Sequence, residues 1–163
     1  MVATGVHILV GLALVMLAFR SSRPEPYLVA ALAATVPDSD SFVFRPLVEL
    51  GYVGGALWSH RALTHSLLGG VIVVALLSYF GPPRAAAIGF GSHIVLDALS
   101  GGIRLFAPAN QTLYGLSIDW LLLNTLVSAV TVPTILVGLL AMKHDFEYRP
   151  PSFASKPVFE WFR

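Results

Sequence analysis

Five apolar segments, separated by short polar or proline-rich breaks, run along this chain. They are Met1–Phe19, Tyr27–Val36, Ala62–Phe80, Ala85–Ile103 and Trp120–Met142. A helix needs about 20 apolar residues to cross the hydrocarbon core of a bilayer. Four segments approach or exceed that length, and the short second one either crosses with its flanking turns or is re-entrant. The pattern predicts an all-α fold: an integral membrane helical bundle of about five transmembrane helices.

The composition favours the same class of protein. Hydrophobic residues make up 56% of the chain and charged residues 12%, whereas a soluble domain carries about 25% charged residues. The formal net charge is +1, and no basic stripe is present that would bind a nucleic-acid backbone. The chain has no cysteine, which excludes disulfides and thiolate metal sites.

The distribution of Lys and Arg predicts the orientation of the bundle. If all five segments cross, most of these residues lie on the same side as the C-terminus, and basic loops usually face the cytoplasm. If the second segment is re-entrant, the bias disappears, so the five-crossing arrangement is favoured. We therefore expect a transmembrane domain over residues 1–143 of a protein of the inner membrane. Its N-terminus would lie outside, and residues 144–163 would form a polar tail, cytoplasmic or interfacial.

In that arrangement most of the histidines and aspartates fall at the outer membrane face. Ionisable residues within membrane segments are costly and usually functional. The expected metal ligands are His7, Asp38, Asp40, His60, His65, His93 and Asp97. Simpler explanations remain open, because His93 and Asp97 also suit a helix-stabilising i,i+4 pair. Likewise, Asp38 and Asp40 suit a helix stop.

Carboxylate and imidazole ligands without cysteine suit Zn, Mn, Fe, Ni or Co comparably, and zinc is the ion that we expect. The number of ligands suffices for two ions, which together would polarise a phosphoryl or carbonyl oxygen and generate a hydroxide nucleophile. Arg61 would neutralise an anionic substrate. Either Asp40 or Asp119 would serve as the general acid, although Asp119 also suits the N-terminus of the last helix.

Three runs of residues resemble the signature blocks of a known family. They are Pro37-Asp38-Ser39-Asp40, His60-Arg61-Ala62-Leu63-Thr64-His65-Ser66 and Gly91-Ser92-His93-Ile94-Val95-Leu96-Asp97. They are similar to those of the YdjM-like family, small membrane-bound proteins described as metal-dependent hydrolases. The His/Asp set also resembles that of all-helical zinc phospholipases. These resemblances imply the metal role of the seven residues named above.

Together these features favour a membrane-embedded metal-dependent hydrolase that acts on a phosphate-ester, lipid-type substrate at the outer membrane face. The chain lacks the H-E-x-x-H motif of zinc proteases and the G-x-S-x-G motif of serine hydrolases. The alternative is a metal-binding or metal-transporting membrane protein without hydrolase activity. Transporters place their sites near the bilayer midplane, whereas the polar residues here cluster at one face.

Overall fold

The computed structural model describes residues 2–144, and the regular secondary structure within them is helical. This result confirms the predicted all-α class. Three short 3-10 turns, Pro37–Ser39, Ala56–Trp58 and Leu63–His65, lie in the connections between the helices. The helices are α1 (Thr4–Phe19), α2 (Glu25–Thr35), α3 (Asp40–Glu49), α4 (Leu67–Leu77), α5 (Pro83–Leu99) and α6 (Trp120–Lys143).

Helices α1, α2 and α5 pack against one another at the centre, with α6 against α1 and α4 against α5. Small residues allow the close approach of the central helices, as at many helix interfaces in membranes. A Cβ atom added at Gly89 of α5 would collide with the backbone oxygen of Ala30 in α2. One added at Gly11 of α1 would touch both neighbouring helices. These contacts fix the spacing of the three helices that carry the site.

The helices are shorter than most of the predicted segments. Of the helices in residues 2–144, only α6 has both the length and the hydropathy to cross a membrane. Helices α1 and α4 are apolar but shorter, with 16 and 11 residues. The five-crossing bundle is therefore not confirmed and stays a prediction. The division at residue 143 is likewise untested, and residues 145–163 of the expected tail lie outside the described residues.

The third segment begins as a helix later than the sequence suggests. We expected a continuous helix over Ala62–Phe80, but α4 begins at Leu67. Arg61 has φ of +63° and the next residues form a 3-10 turn. Ser66 then caps α4, because its hydroxyl oxygen accepts a hydrogen bond from the backbone N–H of Gly69 at 3.1 Å. The chain is therefore not α-helical before Leu67, and the polar side chains of this segment turn inward.

Helix α3 has no counterpart among the predicted segments. It follows directly on the 3-10 turn at Pro37–Ser39 and ends before a loop that leads to His60. Residues 100–118 fold back between α5 and α6 through two isolated antiparallel bridges, Ser100 with Ser117 and Ile103 with Tyr114. The backbone N–H of Arg104 donates to the carbonyl oxygen of Arg61 at 3.0 Å. This bond ties the returning segment to the loop that carries the histidines.

Candidate metal centre

The structure brings the seven predicted ligands together at one end of the helix bundle. His7 comes from α1, Asp38 and Asp40 from the junction of α2 and α3, and His93 and Asp97 from α5. His60 and His65 come from the loop before α4, and His60 lies on the incoming loop rather than on the helix. Of the seven, all but His60 are buried.

The orientation of His93 is set by a helix end. Its Nδ1 lies 2.8 Å from the carbonyl oxygen of Ala34, which belongs to the last turn of α2 and has no partner within that helix. A carbonyl oxygen only accepts, so Nδ1 carries the proton and donates it. The other ring nitrogen, Nε2, therefore presents a lone pair to the cluster. A metal-ligating histidine is held in this way by its second nitrogen.

His65 is oriented by a chain of hydrogen bonds. The hydroxyl of Thr64 donates to Asp40 Oδ2 at 2.9 Å. Its oxygen is then left to accept from Nδ1–H of His65, also at 2.9 Å. His65 Nε2 consequently also presents a lone pair to the cluster. Asp40 therefore orients the ring of His65 indirectly, through the hydroxyl of Thr64.

Four ligand atoms converge at the centre: Asp38 Oδ1, His65 Nε2, His93 Nε2 and Asp97 Oδ2. The two histidine nitrogens lie 3.2 Å apart. Asp97 Oδ2 lies 3.1 and 3.6 Å from them, and Asp38 Oδ1 lies 3.8 and 3.6 Å from them. Ligand atoms about 2.0–2.2 Å from a tetrahedral zinc ion lie about 3.3–3.6 Å apart. These separations of 3.1–3.8 Å are close to that range, so the atoms are near enough to one another to bind one ion.

Two of these four atoms have no hydrogen-bond partner among the described residues. They are Asp38 Oδ1 and Asp97 Oδ2, both buried. A buried polar atom without a partner costs about 1–3 kcal/mol, and more if it is charged. The two facing lone pairs of His65 and His93 also repel each other when nothing lies between them. A divalent cation removes both costs, so the donor set fits a metal ion.

His7 faces the other oxygen of Asp97. Its Nε2 lies 3.6 Å from Asp97 Oδ1, its ring stacks on that of His93 at 3.9 Å, and neither of its nitrogens has a hydrogen-bond partner among the described residues. Two groups of residues have ligand spacing: one contains Asp38, His60, His65 and Asp97, and the second contains His7, His93 and Asp97. However, His93 has one free nitrogen, so it cannot serve two ions. Only His7 and Asp97 Oδ1 therefore remain for a second ion.

Arg61 forms an ion pair with Asp97, and its role toward an anionic substrate stays a prediction. Its Nη2 donates to Asp97 Oδ1 at 2.8 Å and to the hydroxyl of Ser100 at 3.2 Å. The side chain is 14% exposed. Its backbone lies in the left-handed region, which costs a non-glycine residue about 1–3 kcal/mol and is concentrated at functional sites. This backbone conformation places the guanidinium of Arg61 beside Asp97, whose carboxylate belongs to both groups of ligands.

His60 and Asp40 lie at the edge of the cluster. His60 Nδ1–H donates to Asp40 Oδ1 at 2.9 Å, and the His60 side chain is 32% exposed. Burial raises the pKa of Asp40, but the hydrogen bonds from His60 and Thr64 outweigh it, so the pKa lies below its ordinary value. Asp40 is therefore ionised at neutral pH.

Asp119 lies outside the two groups with ligand spacing. It is exposed, and its Oδ1 accepts a hydrogen bond from the backbone N–H of Leu122 at 2.8 Å, which caps α6. Its role as a general acid stays a prediction.

Two threonines were missed by the sequence reasoning. Besides Thr64, Thr4 donates to Asp38 Oδ2 at 2.7 Å and so leaves Oδ1 directed at the cluster. For Thr64, its position next to His65 in the sequence was the signal that could have identified it.

Comparisons with known proteins agree with the family resemblance. The family model described as "YdjM inner membrane protein" matches residues 1–152, so the chain belongs to that family. A protein of Bacillus subtilis (strain 168) named "Uncharacterized protein YvsG" is 32% identical over 114 residues, covering 63% of this chain and 71% of the relative. No solved structure matches the chain.

Proposed function

We propose that this member of the YdjM inner membrane protein family is a metal-dependent hydrolase of phosphate esters, with zinc as its ion. The observation that carries the proposal is the convergence of Asp38 Oδ1, His65 Nε2, His93 Nε2 and Asp97 Oδ2 at separations close to those of zinc ligands. Each has a hydrogen-bonded partner behind it, as the ligands of metal sites in proteins do.

Four protein ligands fill a tetrahedral zinc site, so hydrolysis here would require a further coordination position for water or substrate. An ion with that position open would polarise a phosphoryl oxygen and lower the pKa of a water molecule to near neutrality. The residues of the chain hold the site in shape for that chemistry. Thr64 and the carbonyl of Ala34 fix the proton on Nδ1 of their histidines. Arg61 holds Asp97 Oδ1, so the second oxygen of that carboxylate remains directed at the ion.

The site opens toward solvent on the side of His60. A cavity of about 450 Å³ is lined by Asp40 and His60 at its inner end and by Arg45, Glu49 and Trp58 further out. We infer that a phosphate ester enters along this route, because the remaining ligands are buried. His60 is then the ligand-spaced side chain nearest to the substrate.

A second ion is proposed beside His7, where His7 Nε2 and Asp97 would hold it. Asp97 Oδ1 already accepts a hydrogen bond from Arg61, so this ion would have fewer protein ligands than the first, and it would help to neutralise charge on a phosphoryl group. The unpartnered nitrogens of His7 support this assignment. We further propose that the site lies at the outer membrane face, because the distribution of Lys and Arg favours that orientation.

The proposal is tested with protein purified in detergent and supplied with zinc or manganese. We expect hydrolysis of a soluble phosphate ester such as bis(p-nitrophenyl) phosphate, with loss of metal and turnover in His65→Ala. The matched control is His144→Ala, at the far end of α6, which should retain both.

Normal turnover in His65→Ala would contradict the hydrolase assignment. Uptake of the same metals by sealed proteoliposomes, without hydrolysis, would instead favour the transport alternative.

A further inference from the structure

Helix α3 has two chemically distinct faces. At about 100° per residue, Asp40, Ser41, Arg45, Val48 and Glu49 fall on one side of the helix. These five line the cavity that leads to the metal centre, opposite Trp58, Ser59 and His60. Arg45 and Glu49 are paired on this face, with Arg45 Nε donating to Glu49 Oε1 at 2.9 Å. The cavity face of α3 is therefore largely polar.

The opposite face of α3 is apolar and exposed. Phe42 is 82% exposed, Val43 52% and Leu50, directly after the helix, 71%. Pro46 lies on the same side of the helix and is also exposed. The side of α3 that packs on the rest of the chain is narrow, because only Phe44 and Leu47 are half-buried among its apolar residues. The side chains of Arg45 and Glu49 are 77% and 64% exposed along the cavity, and Phe42, Val43 and Leu50 face away from the described residues.

The environment that covers this face follows from the class of the protein. The chain belongs to a family of inner membrane proteins, and α6 is apolar and long enough to cross a bilayer. Helix α3 has 10 residues, about 15 Å of helix, which is half of what a crossing needs. A short helix with an apolar face and aromatic residues nearby is typical of the interface, where tyrosine and tryptophan are enriched. Tyr52, which follows α3, is 75% exposed.

We propose that α3 lies in the bilayer interface, with Phe42, Val43 and Leu50 in the acyl-chain boundary and its polar face along the cavity. The cavity beneath α3 then opens at headgroup depth, and its occupant is the headgroup of a bilayer lipid. The substrate half of this inference rests on the proposed hydrolase function. The placement of α3 does not depend on that function.

The placement is tested by spin labelling, for which the chain is suited because it has no cysteine. Single variants Phe42→Cys and Leu50→Cys probe the apolar face, and Ser41→Cys and Glu49→Cys are matched controls on the cavity face. Each labelled protein is reconstituted into vesicles of phosphatidylethanolamine and phosphatidylglycerol. Collision of the label with oxygen is then compared with collision with a water-soluble nickel chelate.

We expect oxygen to dominate at positions 42 and 50 and the nickel chelate to dominate at positions 41 and 49. Dominance of the nickel chelate at 42 and 50 would overturn the placement. Short label-to-label distances with low collision rates at 42 and 50 would also overturn it, because a second copy of the chain would then cover this face.

The substrate half is tested with the double variant Phe42→Ser/Leu50→Ser. We expect its turnover of a phosphate-ester lipid in vesicles to fall about tenfold or more, while its turnover of bis(p-nitrophenyl) phosphate stays unchanged. An equal fall on both substrates, or no fall on the lipid, would overturn this half. If the wild-type protein hydrolyses neither substrate, the proposed function fails, and the spin-label result still decides the position of α3.

Discussion

The hydrogen-bond chain behind His65 provides a specific test of the metal centre through Thr64→Val. Valine has nearly the shape of threonine, so the substitution removes the hydroxyl and little else. Thr64 is the residue through which Asp40 Oδ2 is linked to His65 Nδ1, with both bonds at 2.9 Å. Without it, the His65 proton is no longer held on Nδ1, and the Nε2–H tautomer cannot bind a metal through Nε2. Loss of such an orienting partner typically weakens metal affinity 10–100-fold, or about 1.4–2.7 kcal/mol.

The assay is a competition titration of zinc between the protein in detergent and a chromophoric chelator. Thr125→Val is the matched control, because Thr125 donates to the backbone oxygen of Leu121 within α6 at 2.8 Å and α6 supplies no member of the ligand groups. We expect the control to bind zinc as the wild type does and Thr64→Val to bind it 10–100-fold more weakly. Equal affinity of Thr64→Val and wild type would refute the orientation of His65 described above.

Three further predictions concern the surroundings of the site. Gly89→Ala should lower the free energy of unfolding by about 1–3 kcal/mol, because the Cβ of the alanine would collide with the backbone of α2. The control Gly91→Ala has open space at its Cβ and should leave the unfolding midpoint unchanged or raise it. Arg61→Lys should weaken zinc binding about tenfold in the same titration, since a lysine does not reproduce the guanidinium contact with Asp97. Asp119→Ala should destabilise the protein by about 0.5–2 kcal/mol through loss of a helix cap and keep its full metal content; loss of metal would contradict this.

The sequence predicted seven histidines and aspartates that lie together in the structure, whereas their role as metal ligands stays a prediction. Apolar segments of alternating direction bring His7, Asp38, His65 and His93 to the same end of a bundle, whichever way the helices tilt. The i,i+4 spacing of His93 and Asp97 likewise places both on one face of α5. These predictions depend only on helix geometry and chain direction, which explains why they agree with the structure.

The local conformation around the site was less predictable. The late start of α4 depends on a left-handed backbone at Arg61, and an isolated arginine carries no signal for that conformation, unlike glycine. Helix α3 was missed because Pro46 interrupts its pattern and its apolar residues were not read as a helix face. The contact of Arg61 with Asp97 spans 36 residues, so it depends on tertiary packing and no local spacing predicts it.

The central claim is that the convergent histidines and aspartates bind a metal ion. The most direct measurement is elemental analysis of the chain purified in detergent without chelator, beside His65→Ala and the control His144→Ala. We expect at least one divalent ion per chain in the wild type and the control, and none retained in His65→Ala. A wild-type protein that is metal-free and takes up neither zinc nor manganese would contradict the account. The cluster would then be a buried polar network that holds the helices together.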